Sequence, residues 1–343
     1  MASQTGLQLK GINYDTGTNY APDYLSREIW NQRLLEQEIR TIRHDLHCNA
    51  INIYGSDISR IMACADFALE NNLQVWLQPR LIDSNPTEML AHLAQLAQAA
   101  ERLRQGHEHI TLNIGCELSV FMKDLIPGRS FLQRVAWLGR FWWLWMLVPR
   151  FNSRLNSHLQ KAVSTTRTHF NGQITYSAGI WETIRWDTFD TVGLNYYREA
   201  SNQGSYVQDL RRFHRYSKPI VITEFGCCSF DGADKLGGSG DSIVDYSGPA
   251  PVLKDFSQRN EQVQADYLID LLQIYQNEGM TGAFVFEFTE PSHPHSSDPR
   301  RDLDMASYGL VKVLHDDAQH PDAPLRWEPK QAFHAIARAF DEG

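Results

Sequence analysis

The sequence predicts an α/β protein built as a (β/α)8 TIM barrel in a single domain spanning residues 1–343, and three observations carry that expectation. Eight short apolar runs alternate with longer stretches of helical periodicity, which implies a parallel sheet, and eight strands is the number that closes a barrel. The doubly wound alternative calls for a glycine-rich first turn, and Gly11 to Gly17 lacks the GxGxxG spacing. At 343 residues the chain has a length at which α/β barrels commonly fold as one unit around a large core.

Taken in order, Leu9–Tyr14 is the first strand, followed by a helix over Ser26–Leu46 with Ile29, Leu34, Leu35, Ile39, Ile42 and Leu46 at helical spacing. Ala50–Tyr54 is the second, closed by Gly55; Ser56 and Asp57 start a helix over Ile58–Glu70 that Asn71-Asn72 stops. Leu73–Gln78 is the third strand, broken at Pro79, and Pro86–Arg104 an Ala/Leu/Gln-rich helix. The fourth runs from Ile110 into Glu117. Ile174–Ser177, Thr191–Tyr196, Ile220–Ile222 and Gly282–Phe288 complete the eight, with helices expected over Asn152–Thr168, Tyr206–Tyr216, Arg259–Glu278 and Pro329–Phe340.

With 41 acidic against 32 basic residues the net charge is −9, so no global field draws the protein to phosphate backbones, and nucleic acid is not an expected partner. The first residues, MASQTGLQLKG, lack the charged and apolar regions of an export signal, and no apolar run reaches the ~20 residues of a membrane span. A cytoplasmic protein is the expectation. The five cysteines, Cys48, Cys64, Cys116, Cys227 and Cys228, lack CxxC spacing and are expected reduced.

In a barrel of this kind the strand C-termini form the active face, so polar residues there carry functional weight. Two of these strand ends are alike: Ile110–Glu117 and Lys218–Phe230 (KPIVITEFGCCSF) each deliver a glutamate, Glu117 and Glu224, and two such side chains can face one another across the mouth. Around them the strand ends supply Tyr14, Asn52, Tyr54, Arg80, Cys116, Trp181, Asn195, Tyr196 and Glu287, with His293 in the loop beyond; these are the candidate substrate-binding residues. Tyr14, Tyr54, Trp76, Trp181, Trp186, Tyr196 and Tyr197 suit stacking on the flat face of a ligand or, equally, packing in the core.

Glutamates ending strands four and seven resemble the clan of retaining glycoside hydrolases with (β/α)8 barrels. More closely, DLHCNAI (45–51), GCELSVF (115–121), TEFGCC (223–228) and DLDMASYGLVKV (302–313) resemble bacterial glycosidase-like proteins often labelled "abortive infection" proteins. The resemblance implies Glu117 as acid/base, Glu224 as nucleophile, Tyr196 in contact with the nucleophile, a small-molecule or oligosaccharide substrate, and no cofactor. The chain departs from the clan pattern at three places. Cys116 stands where an asparagine usually precedes the acid/base, no arginine ends strand two, and Phe286 or Glu287 replaces the strand-eight tryptophan. A retaining mechanism needs one protonated and one ionised carboxyl roughly 5–5.5 Å apart, and burial beside the charge of Glu224 should raise the pKa of Glu117. The same carboxylates would serve a lyase or transglycosylase acting on a glycosylated or lipid-linked small molecule, and a non-catalytic glycan-binding or phage-defence barrel is the remaining alternative.

Three further signals invite chemistry. His293, His295 and Asp298 share one loop, but without a partner motif a substrate-contacting or structural loop is expected rather than a metal site. Cys227-Cys228 follow the nucleophile strand, with no histidine placed by sequence to activate them. Residues 229–258 form a long active-face loop whose Gly/Asp-rich part, 231–246, is either a lid or simply mobile. Finally, an apolar insertion around 130–150 centres on Trp137–Val148 (WLGRFWWLWMLV). It fits burial against the barrel or a second subunit, a lid over the site, or contact with a membrane surface.

Overall fold

The computed structural model describes residues 6–140, 147–254, 258–314 and 326–342. Eight parallel strands close into a barrel in chain order: β1 (Leu9–Asp15), β2 (Ala50–Gly55), β3 (Gln74–Pro79), β4 (Ile110–Cys116), β5 (Gln173–Ala178), β6 (Val192–Asn195), β7 (Ile220–Phe225) and β8 (Gly282–Val285). Closure is made by β1, which pairs Gly11 with Ala50 on one side and Leu9 with Gly282 on the other. Strand β8 is shorter than its apolar run. Its ladder with β7 shifts register between Ala283 and Val285, and the chain beyond is tied to the neighbouring strands by Phe286 N–H to Phe225 O (2.9 Å) and Phe288 N–H to Asn13 O (3.0 Å).

Alternation along each strand divides the side chains between the barrel interior and the helix layer. At the bottom of the interior Ala50, Trp76, Val221 and Phe284 pack together, with the Trp76 and Phe284 rings 4.9 Å apart. A Cβ on Gly11 would lie 2.3 Å from the Phe284 ring, so only glycine leaves room for that ring. Burying each large side chain here contributes about 1.5–3 kcal/mol. Above this layer the interior turns polar: Asn52 donates to Asn13 Oδ1 (2.6 Å), Asn13 to Thr223 O (2.9 Å), and Asn113 to Ser177 Oγ (2.6 Å).

Helices α1 (Gln32–His44), α2 (Ile58–Glu70) and α3 (Pro86–Arg104) cover β1–β4. Asn31, Asp57 and Asn85 cap them, the last in a reciprocal capping box with Glu88. Helix α1 starts at Gln32 rather than Ser26, because Ser26 and Arg27 are buried against Asp15 and Glu38 instead of extending the helix. After β4 come a short turn α4 (Leu118–Phe121), α5 (Phe131–Arg140) and α6 (Val148–Arg167), which begins at Val148 with Pro149 in its first turn. Residues 141–146 of the apolar 137–148 segment, and with them the lid, subunit or membrane-surface roles expected of it, lie outside the described residues. Between β5 and β6 the connection holds only a 3-10 turn, Trp186–Thr188. Helix α7 (Tyr206–Arg211) precedes β7, α8 (Ala233–Leu236) lies in the active-face loop, α9 (Glu261–Asn277) precedes β8, and α10 (Gln331–Glu342) packs on α9. Among the described residues no helix is long and apolar enough to cross a membrane.

Candidate active site

The turn after β4 sets the position of Glu117. Its backbone is left-handed (φ 40°, ψ 44°), a conformation that costs a residue with a Cβ and persists only where the surroundings impose it. Here they do. Glu117 N–H donates to Ser177 O (3.0 Å) and Leu118 N–H to the Tyr176 hydroxyl (2.8 Å). That hydroxyl in turn donates to Glu182 Oε2 (2.8 Å), while Glu182 Oε1 accepts from Ser119 N–H (3.0 Å). Tyr176 and Glu182 are therefore positioning residues. Tyr176 is buried in the middle of a strand, and a sequence pattern offers no signal for such a role.

Glu224, at the end of β7, is held by three donors. Arg80 Nη2 gives the shortest bond, 2.6 Å to Oε1; the Cys116 thiol reaches the same oxygen at 3.5 Å, and the Tyr197 hydroxyl reaches Oε2 at 3.3 Å. Arg80 is buried, its guanidinium 3.7 Å from the Tyr54 ring centroid and bonded through Nη2 and Nε to Gln78 Oε1 (2.7 and 3.2 Å). The arginine missing from strand two is thus supplied from just beyond β3, where Pro79 ends the strand.

Asn195, ending β6, links the two glutamates. Its Nδ2 donates to Glu117 Oε1 (3.1 Å) and lies 3.2 Å from Cys116 Sγ, while Thr223 Oγ1 donates to its Oδ1 (2.9 Å). Glu117, Cys116, Asn195 and Glu224 form one contiguous group at the strand C-termini. Burial, and after it the negative charge of Glu224, pushes the Glu117 carboxyl up to about 8, outweighing the Asn195 hydrogen bond that opposes the shift.

Toward β8 the mouth widens into a cavity of about 490 Å3 lined by Asp15, Tyr54, Phe286, Glu287, Glu290 and His293 among others. Glu287 Oε2 accepts from the Tyr54 hydroxyl (2.6 Å), and burial, with Glu290 and Asp15 nearby, pushes its carboxyl well up. His293 bridges Glu290 Oε1 (2.9 Å, Nδ1) and Asp241 Oδ1 (3.2 Å, Nε2). Burial lowers the basicity of the imidazole, but the two carboxylates more than offset this and hold it up at about 10. The active-face loop closes this side of the mouth. Gly238 packs on the Tyr197 ring, and the Tyr308 hydroxyl ties the loop down through Gly240 N–H and Gly237 O, both at 2.9 Å.

Several expected contributors lie elsewhere. Tyr14 points out of the barrel, its hydroxyl donating to Glu38 (2.6 Å) beneath Arg27, because the inward position of Asn13 forces its neighbour outward. Asn52 is sealed in the interior polar layer. Tyr196 faces away from Glu224: its ring packs on Tyr206 (4.6 Å) and its hydroxyl reaches Tyr206 O (3.4 Å), so the tyrosine that contacts Glu224 is Tyr197. Trp181 is only partly buried, with Nε1 on Ser119 Oγ (2.9 Å), in the apolar cluster that includes Cys116 and Phe121. Trp76 and Trp186 are core residues.

The loop histidines diverge, His293 toward Glu290 and Asp241, His295 toward Asp302 (2.8 Å), and no metal-binding cluster occurs among the described residues. The DLDMASYG stretch is anchored by ion pairs of Asp302 and Asp304 with Arg259 (2.9 and 2.8 Å) and of Asp304 with Lys330 (3.1 Å). Cys227 and Cys228 are fully buried and burial pushes both thiols up, the opposite of what a thiolate nucleophile needs.

No protein-family model and no curated protein matches the chain. Solved structures do. The GH113 β-mannanase AaManA from Alicyclobacillus acidocaldarius superposes with a TM-score of 0.59 at 16% identity, covering 100% of this chain and 99% of that one. A β-glucosidase designated 1317 gives 0.57 at 8% identity, covering 98% of each chain. The broad-specificity GH5-4 endoglucanase from Clostridium longisporum gives 0.55 at 12%, covering 99% and 97%. The chain shares a glycoside-hydrolase-like barrel fold with these enzymes.

Proposed function

We propose that this protein is a retaining glycoside hydrolase in which Glu224 is the nucleophile and Glu117 the acid/base. The observation that carries this reading is the unequal setting of two neighbouring glutamates. Glu224 has the buried Arg80 guanidinium as ion-pair partner, while Glu117 forms no ion pair among the described residues and has a carboxyl pushed up to about 8. A carboxyl held toward its protonated form beside one paired with a guanidinium can serve as acid and nucleophile.

In the first step Glu117 gives its proton to the glycosidic oxygen as Glu224 attacks the anomeric carbon, the C–O bond breaks, and a glycosyl ester forms on Glu224. Glu117, now ionised, then takes a proton from water as the water oxygen attacks the same carbon and frees Glu224. Arg80 and Tyr197 orient the nucleophile, and Asn195 holds Glu117. Cys116 occupies the place beside the acid/base and turns its thiol to Glu224. Substrates named for the structural neighbours, mannan, glucosides and glucans, all present such a bond, and a carbohydrate substrate is accordingly proposed here. All five cysteines are free and buried, which supports a reducing, cytoplasmic setting.

The test is intact-protein mass spectrometry after incubation with a panel of 2-deoxy-2-fluoro glycosyl fluorides. A mass gain that maps to Glu224 and is lost in Glu224→Gln supports the reading. An adduct on another residue, or wild-type turnover in Glu224→Gln, overturns it.

A further inference from the structure

The cavity between β1, β2 and β8 has a charge balance that the hydrolytic mechanism does not use. Four carboxyl groups, Asp15, Asp241, Glu287 and Glu290, line it against a single basic side chain, His293. Three of the four are already committed. Asp15 accepts from Gly17 N–H (2.9 Å), Thr18 (3.1 Å) and Ser26, and Glu290 and Asp241 share His293. Glu287 differs. It is only 4% exposed, Tyr54 satisfies Oε2, and Oε1 has no hydrogen-bond partner among the described residues. The closest guanidinium, Arg80, is turned to Glu224 and Gln78.

A carboxyl oxygen left open at the wall of a volume within the usual range for small-molecule sites is placed to accept a hydrogen bond from a ligand that displaces water. The walls indicate which kind. Tyr20, Tyr24, Tyr246, Phe286 and Tyr308 surround the space, and aromatic faces beside a carboxyl group favour a compact cation over a neutral hydroxyl. The net charge of −9 attracts such a ligand from a distance.

We propose that this cavity binds the protonated amine of an amino sugar, with Glu287 as its counter-ion, so that the substrate class is a glycan carrying free amino groups. This rests on the glycoside hydrolase reading of the adjoining glutamates and narrows it. Burial pushes the Glu287 carboxyl well up in the free protein, so an arriving ammonium releases the carboxyl proton to solvent, donates one N–H to Oε1 and lies against the tyrosine walls. An N-acetyl group carries no charge for Glu287 to pair with.

The test uses the Glu224→Gln protein, which retains the cavity, in calorimetric titrations with glucosamine, N-acetylglucosamine and glucose, and with the chitosan tetramer, its fully N-acetylated form and cellotetraose. The amine forms should bind about tenfold or more tighter than their neutral counterparts, as a charged hydrogen bond in a buried site would give. That preference should vanish when Glu287→Gln is added to a protein whose circular dichroism is unchanged. Equal affinities, failure of every amine to bind, or a preference that survives Glu287→Gln would each overturn the proposal. If Glu287→Gln does not fold, the comparison of the six sugars on the parent protein decides alone, parity or absence of binding counting against it. A glycosyl ester on Glu224 without amine preference rejects the cation site and leaves the hydrolase standing. Amine preference together with an ester on another residue, or with wild-type turnover in Glu224→Gln, rejects the hydrolase assignment and leaves the cation site standing.

Discussion

The two halves of the barrel mouth solve the problem of buried carboxyls differently. On the β3, β4, β6 and β7 side the charge is answered within the protein: Arg80, Cys116 and Tyr197 converge on Glu224, and Asn195 ties Glu117 into the same group. On the β1 and β8 side Glu287 holds one tyrosine hydroxyl and an unanswered oxygen. On the proposed function, the contrast separates machinery from reception. A reacting carboxylate is pre-oriented by fixed donors, whereas a recognising one keeps an acceptor for the ligand to fill.

The sharpest way to break this division is Glu224→Gln. Turnover should fall on the order of 10^4-fold or more, the scale of losing a covalent catalyst, with folding intact by circular dichroism. Next comes Glu117→Gln, where kcat/KM should drop about 10²–10⁴-fold for poor leaving groups and much less for activated aryl glycosides that need no proton. With Glu117 as the proposed acid and its carboxyl pushed up to about 8, the pH–rate profile should fall above about pH 8. Removing the charge at position 224 takes away the second cause of that shift, so the titration of Glu117 followed by NMR should move down in Glu224→Gln. The sign for stability is the opposite of the usual carboxylate case. From the ordinary value of 4.5 up to about 8 the native protein keeps a proton the unfolded chain releases, so this group makes the fold less stable as pH rises through that window.

Arg80→Ala should cost about 3–5 kcal/mol in denaturant unfolding, since it leaves Glu224 buried without its counter-charge. Tyr197→Phe removes one hydrogen bond of 3.3 Å and should cost about 1 kcal/mol, or roughly fivefold in turnover. Tyr196→Phe is the smallest change: turnover should stay at the wild-type level, and a loss like that of Tyr197→Phe would show that the two tyrosines have been assigned the wrong way round.

Much of this was legible beforehand because it depends on local pattern. Eight apolar runs become eight strands because hydrophobic runs of that length between amphipathic helices bury themselves only as a parallel sheet. Strand ends face one rim in a parallel barrel, so Glu117 and Glu224 had to share it. Even the errors over Tyr14 and Tyr196 yield to period-two counting: with Asn13 and Asn195 turned inward, their next neighbours turn outward and Tyr197 inward again.

What the linear chain determined alone was the barrel, the start of α2 at Asp57 and the rim on which the two glutamates stand. Tertiary structure decided the partners. Arg80 meets Glu224 across 144 positions of sequence, Tyr54 meets Glu287 across 233, and the left-handed turn at Glu117 is held by groups of β5 and the Glu182 turn beyond it. No local propensity encodes such pairings, because hydrogen bonds between distant residues exist only once closure of the barrel brings its strand ends within a few ångströms of one another.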